Sequence, residues 1–427
     1  DIIWQLKTVF EPLLKEESLI SLFQEIEMPL VSVLAKMERE GINLDQGCLQ
    51  TFSKELEVSV KTIQDEIFDV AGIEFNISSP KQLGEVLFDH LKIDDKAKKT
   101  KTGQYSTSEE VLSKLKKRHP VVEKVLIFRS LQKLRSTYVD ALPSLINTNT
   151  QRIHTSFNQA VAATGRLSSN NPNLQNIPIR TERGREVRKA FIPRDDNHIL
   201  LAADYSQVEL RLIAEMSKDP TMVEAFQQGL DIHAATASKV FNVPLDGVTR
   251  EMRSNAKTVN FGIIYGVSAF GLSQQSSLSR KEAAEIIKNY FATYPKLKEY
   301  MDANIAFARE HGYVKTIMNR KRRLRDINSQ NSVVRGHAER NAINAPIQGS
   351  AADIIKLAMI KIQTQIDVLG LQSKMLLQVH DELVFDVLKT ELPTLKKLIK
   401  EIMEGVLDST VPLVVDLDLG NSWLEAH

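Results

Sequence analysis

Two short apolar runs, each meeting carboxylates at its end, constrain this chain more than any other feature. Residues 198–204 read HILLAAD and residues 375–387 read MLLQVHDELVFDV. Continuous apolar runs of this length suit buried strands, so Asp204 falls where a strand ends. The second run divides into two strand-like halves around Asp381 and Glu382, the outline of a tight hairpin with carboxylates at its tip. Residues 411–419 (VPLVVDLDL) read as one more strand, whereas 207–216, 221–311 and 333–369 carry apolar residues at helical spacing. The expected class is α+β, with a few strands among many helices. Asp204 and Asp381, at strand ends on a common sheet, could share two oxygen-liking divalent ions, as phosphoryl transfer requires. Taken singly, either reads more readily as an exposed turn residue.

With 42% hydrophobic and 26% charged residues, the chain excludes wholesale disorder and fibrous repeats. At ~100 to 200 residues per domain, its 427 residues make two to four compact units. The longest apolar stretches fall far short of the ~18 residues that span a bilayer, which predicts no membrane crossing. Cys48 is the only cysteine, so no internal disulfide or cysteine-rich zinc site can form, and any catalytic metal must sit on oxygen or histidine. Residues 1–5 (DIIWQ) lack an initiator Met, a basic leader and a cleavage site, and read as a cut within a longer protein. The net charge of +1 conceals asymmetry: residues 180–194 carry six cations against two glutamates, and 315–325 carry six cations and no acid. Both runs hint at a phosphate-backbone partner, although most charge runs are solvated faces.

Residues 46–70 place Leu49, Phe52, Leu56, Val60, Ile63, Ile67 and Val70 on one helical face. Ser79-Pro80-Lys81-Gln82 and Thr107-Ser108-Glu109-Glu110 follow capping-box logic and announce new helices. The basic stretch 96–105 between them reads as an exposed loop, and a further helix is expected from Val121 to about Leu142. Residues 46–147 thus make a mostly helical unit with a basic tip.

Arg253, Lys257, Phe261 and Tyr265 recur every four residues and lie along one helical stripe. Packing explains the two rings but not the two cations; a triphosphate along the cationic turn, with sugar and base against the rings, explains all four. His233 offers a further donor, though alone it reads as a satisfied helix histidine. Arg340, Asn344 and Gln348 repeat the four-residue step, with Pro346 expected to kink or end their helix. Long polar groups there suit sequence-independent contact with the minor groove, or a solvated face. The polar loop 164–176 (TGRLSSNNPNLQN) presents Arg166.

Three strings carry a specific resemblance: DYSQVELR at 204–211, RSNAKTVNFGIIYG at 253–266, and HDE at 380–382. They resemble the three polymerase motifs of the family A DNA polymerases, and TGRLSS and NAPIQGSAADIIK match further blocks; the similarity runs from about Glu25 to His427. The resemblance implies a right-hand fold with an antiparallel-sheet palm, helical fingers and a helical thumb. It divides the chain into an exonuclease-domain remnant (1–24), palm entry (25–45), thumb (46–147), palm (148–217), fingers (218–335) and the rest of the palm (336–427). It implies catalytic roles for Asp204, Asp381, Glu382 and Lys257, and two magnesium ions, replaceable by manganese, on Asp204, Asp381 and the Tyr205 carbonyl. The deoxynucleoside triphosphate would meet Arg253, Lys257, His233, Phe261, Tyr265, Gln207 and Glu209, the last a steric gate against a 2′-hydroxyl. Arg166, Arg340, Asn344, Gln348 and His380 would meet primer-template DNA. A monomeric, cytoplasmic, nucleoid-associated bacterial enzyme is the expectation, without proofreading in this chain. A two-metal nuclease would not need the cationic-aromatic stripe, a single-subunit RNA polymerase would not carry Glu209, and a non-catalytic duplex-binding module would tolerate loss of the carboxylates.

Overall fold

A computed structural model describes residues 2–179, 181–276 and 278–427. Asp1 and Arg180, the first cation of the first basic run, lie outside the described residues. The apolar runs form one antiparallel sheet from β1 (His198–Tyr205), β2 (Lys374–Val379), β3 (Glu382–Leu388) and β4 (Val415–Gly420), in spatial order β4-β1-β3-β2. β1 is flanked on both edges, which is why Leu200, Leu201 and Ala203 are fully buried. β4 begins at Val415 rather than at Val411, because Pro412 cannot donate to the ladder and the Val411 amide donates to Glu215 instead, at 3.1 Å.

The helix α1 (Gln46–Ala71) forms as expected: the Asp45 side chain accepts from the Cys48 amide, and Gly72 closes it at φ +71°. At about 1.5 Å per residue it is long enough to join two cores. Leu49, Phe52 and Leu56 enter the main core around the sheet; Val60 and Ile67 enter a second core with Leu87, Leu112 and Val125. Ser79 and Ser108 cap the next helices, but Gln82 accepts from the Asn76 amide at 2.7 Å and so closes no capping box. The single helix expected to reach Leu142 ends at Leu134 and gives way to a π turn over Arg135–Val139 and a tight turn over Leu142–Leu145. In the basic loop, Tyr105 is held by the Phe88 ring and donates to Asp89 at 2.6 Å.

The helices α2 (Ile232–Phe241) and α3 (Arg250–Ile264) pack together, and α4 (Ser332–Val368) packs against the helices Val208–Ser217 and Met28–Glu40. Of the kink or end expected at Pro346, α4 excludes the end: its 37 residues run through that proline as one helix. Pro346 is buried with Ile347, Gly349 and Ser350, and the Ser350 hydroxyl donates to the Pro346 carbonyl at 2.6 Å, so packing around the proline offsets its lost backbone bond. The basic runs are also less available than their sequence implies. Arg194 pairs with Asp386, Arg183 with Glu55 and Lys189 with Glu186, while Arg188 is buried. In the second run, Arg320 pairs with Asp353, and Lys321 and Arg323 pair with Glu17. Much of that charge is satisfied internally.

Candidate active site

The site starts at the end of the sheet. Asp204 stands opposite Glu382 on one side and Asp416 on the other, so three carboxylates share a row across three strands. Asp381 joins them from the β2–β3 turn, which His380 bends at φ +57°, and the Tyr205 amide donates to the Asp381 carbonyl at 3.3 Å. The expected hairpin therefore brings Asp204 and Asp381 together. Burial, then the neighbouring charges of Asp381 and Glu382, pushes the Asp204 carboxyl up to about 7. Burial, then Glu209, also raises Asp381.

Glu382 faces the same row but is otherwise engaged. It accepts from the Trp423 indole at 2.7 Å, pairs with His427, and has the Arg188 guanidinium at 3.9 Å. Arg188 in turn lies over the Trp423 ring at 4.1 Å. Sequence reasoning missed Trp423, His427, Arg188 and Asp416; the alternation of acids in 415–420 was the available sign of Asp416.

These acids open into a cleft of about 650 Å³ that also meets Arg166, Gln207, Glu209, Phe261, Tyr265 and His380. Gln207, at φ +55°, turns the chain from β1 into the helix Val208–Ser217, whose first turn carries Glu209. Glu209 is the hub: Arg166 donates to one carboxylate oxygen at 2.6 Å and the Tyr265 hydroxyl to the other at 2.8 Å. Burial and Glu209 push the Tyr265 phenol up to about 12, so it remains a donor at neutral pH.

α3 presents its stripe as expected, with Arg253, Lys257 and Tyr265 exposed, Phe261 half-buried, and Val259 and Ile263 inside. Arg253 donates to Asp231 at 2.7 Å, and Asp231 also caps α2 by accepting from the His233 and Ala234 amides. His233 is buried beside the Phe261 ring. Burial, with Lys257 and Arg253 nearby, pushes it down to about 4. It is therefore neutral, and Asn260 donating to its Nδ1 at 3.0 Å leaves the proton on Nε2. On α4, Gln348 reaches the Tyr265 hydroxyl, Arg340 packs its stem against Gly266, and Asn344 keeps a buried amide oxygen without a partner.

No group of three or more His, Cys, Asp or Glu among the described residues forms a ready metal cage. Two half-buried carboxylates, both held above the usual carboxylate range by burial and by neighbouring acids, nevertheless fit a hard divalent ion, since magnesium takes only one or two protein carboxylates and keeps water or phosphate oxygens.

The DNA polymerase family A model matches residues 46–425. The chain belongs to DNA polymerase family A. Among family A relatives, DNA polymerase I of Geobacillus stearothermophilus is 48% identical over 424 residues, covering 99% of this chain and 48% of that protein. DNA polymerase I of Bacillus subtilis (strain 168) is 47% identical over 413 residues, covering 97% and 47%. The chain thus spans about half the length of the curated relatives it matches. The POL domain of Pol1 from M. smegmatis, solved in complex with DNA primer-template and dNTP, superimposes with a TM-score of 0.90 at 44% identity, covering 97% of this chain and 73% of that one. The fold is accordingly the family A right hand, with a sheet-bearing palm and helical fingers and thumb.

Proposed function

We propose that this chain extends a DNA primer along a template, joining deoxynucleotides to the primer 3′-hydroxyl and releasing pyrophosphate. The observation that carries the reading is the meeting of Asp204 and Asp381 on the floor of a cleft whose far wall is the Phe261 and Tyr265 end of α3. In this reading the thumb is 46–147, the palm 148–217 and 336–427 with its entry at 25–45, and the fingers 218–335; the second core under α1 supports an autonomous thumb.

Asp204, Asp381 and the Tyr205 carbonyl would hold two magnesium ions, with Glu382 fixed alongside. Bound there, the metals would supply activation of the attacking oxygen and neutralisation of the phosphates. The protein does the rest. Arg253, Lys257 and the Nε2–H of His233 hold the triphosphate, Lys257 protonates the departing pyrophosphate, and Phe261 lies against the deoxyribose. Gln207 lines the nucleotide side of the cleft. Glu209, anchored by Arg166 and Tyr265, closes the space a 2′-hydroxyl would occupy. Arg253 leaves Asp231 when the phosphates arrive, so triphosphate binding and closure of α3 are one event. Arg166, Arg340, Asn344, Gln348 and His380 meet the primer-template near the reacting end, and the unpartnered Asn344 oxygen supports such a role for α4. Selection rests on base-pair shape, because an unvarying set of side chains cannot read four bases individually.

Extension of a labelled primer tests this. Growth whose added base follows the template, with deoxynucleotides and not with ribonucleotides, is expected; primer shortening without growth would make the same carboxylates a nuclease site.

A further inference from the structure

A buried ionic network lies behind the Arg166 loop, outside every residue assigned a role above. Arg320 donates through Nε to Asp353 Oδ1 at 2.8 Å and also pairs with Glu27. Lys356, fully buried on α4, donates to Glu27 at 2.8 Å. Thr316 donates to the second Asp353 oxygen at 2.6 Å, and the Gln159 amide donates to Glu27 at 2.6 Å. Two cations and two anions, from segments as distant as residues 27 and 356, thus balance one another in a low-dielectric setting. Burial alone would raise Glu27, yet Lys356 and Arg320 hold it below the usual carboxylate range.

Interior ion pairs stabilise a fold little against apolar replacements, so their use is better sought in what they hold still. Here the object held is Gly165. It sits at φ +80° against the Arg320 guanidinium, so close that a Cβ would lie 2.5 Å from Nε and 2.8 Å from Cζ. Gly349 of α4 is equally tight: a Cβ there would lie 2.5 Å from the Thr316 methyl carbon and 3.1 Å from the Thr164 carbonyl. The next residue after Gly165 is Arg166, whose 2.6 Å bond anchors Glu209.

The geometry points to Arg320 as a positioning residue for sugar selection: its planar guanidinium, locked by Asp353 and Glu27, is the surface on which Gly165 rests, and so sets where Arg166 anchors the Glu209 gate. This rests on the polymerase reading above. Arg320 touches no substrate; it acts through Gly165 and Arg166. When the surface is lost, Glu209 gains freedom to turn and the 2′ space opens.

The test compares deoxynucleotide with ribonucleotide incorporation, each as kcat/KM on one primer-template, for wild type, Arg320→Lys and Gly165→Ala. Arg320→Lys keeps the charge and loses the plane; Gly165→Ala keeps every charged group and forces the loop and the guanidinium apart. Both are expected to lower the deoxy-to-ribo ratio by about tenfold. A purely structural role would lower both substrates together, and a ratio within about twofold of wild type in Gly165→Ala overturns the inference. Arg166→Ala separates this from the parent reading. If wild type extends primers and Arg166→Ala lowers the ratio while Gly165→Ala does not, only the positioning claim falls; if wild type does not extend primers, the polymerase reading falls.

Discussion

Asp204 is a half-buried carboxyl beside two others, and its elevated proton affinity has thermodynamic consequences that do not depend on turnover. Held up to about 7 against 3.8 for the free group, it keeps its proton in the folded state at pH values where the unfolded chain has released it. Stability therefore falls as pH rises through that window. In metal-free protein, Asp204→Asn is expected to raise stability by about 2 kcal/mol at pH 8, with the gain fading toward pH 4, as read by chemical unfolding at several pH values. The same carboxyl must lose its proton to take a metal. The apparent magnesium affinity of the wild type should therefore weaken as pH drops below 7, measurable as a shrinking magnesium-induced rise in Tm. A second residue-scale prediction concerns Phe261. A phenolic hydroxyl at its edge would replace the contact that a missing 3′-hydroxyl leaves open, so Phe261→Tyr should accept dideoxynucleotides more readily; an unchanged incorporation ratio would count against its place at the sugar.

At the scale of elements, Asp231 joins the two helices to which the proposed reading assigns the triphosphate. It caps α2 and pairs with Arg253 of α3, so Asp231→Ala should cost about 1 kcal/mol of stability through the lost cap. It should also free Arg253, tightening nucleotide binding; a lowered Tm together with an unchanged nucleotide Kd would mean that Arg253 is not the group the phosphates recruit. The sheet and the stripe were legible in the sequence because their signals are local. HILLAAD places Asp204 one residue from the end of a strand by its own run length, and Arg253, Lys257, Phe261 and Tyr265 share a face by the helical period alone. The capping of Ser79 was legible too, but the Gln82 oxygen turned to the Asn76 amide, a competing local donor. Pro346 misled because its penalty is local whereas the burial that overrides it comes from the surrounding core. Trp423, His427 and Arg188 were not legible as partners of Glu382, since nothing local brings residues 188, 382 and 427 together.

At the scale of the molecule, the main core and the second core, bridged by α1 and by the helix Pro120–Leu134, imply two levels of cooperativity. Leu87 is fully buried in the second core, and Leu87→Ala should destabilise that unit by about 2 to 5 kcal/mol. Amide exchange should then quicken across residues 60–128 while β1 and β3 keep their protection; equal acceleration in both would mean a single cooperative unit. The whole-molecule charge was the least informative feature of the sequence, because Arg188, Arg194, Arg320 and Lys321 are engaged inside the fold rather than turned toward a partner.

The central claim is that Asp204 and Asp381 act together on a bound primer and nucleotide. Its most direct test is single-turnover primer extension by Asp381→Ala, run beside the affinity of the same variant for primer-template DNA. Duplex binding close to that of the wild type is expected, with a loss of extension of about a thousandfold or more. Extension near the wild-type rate with duplex binding intact would contradict it.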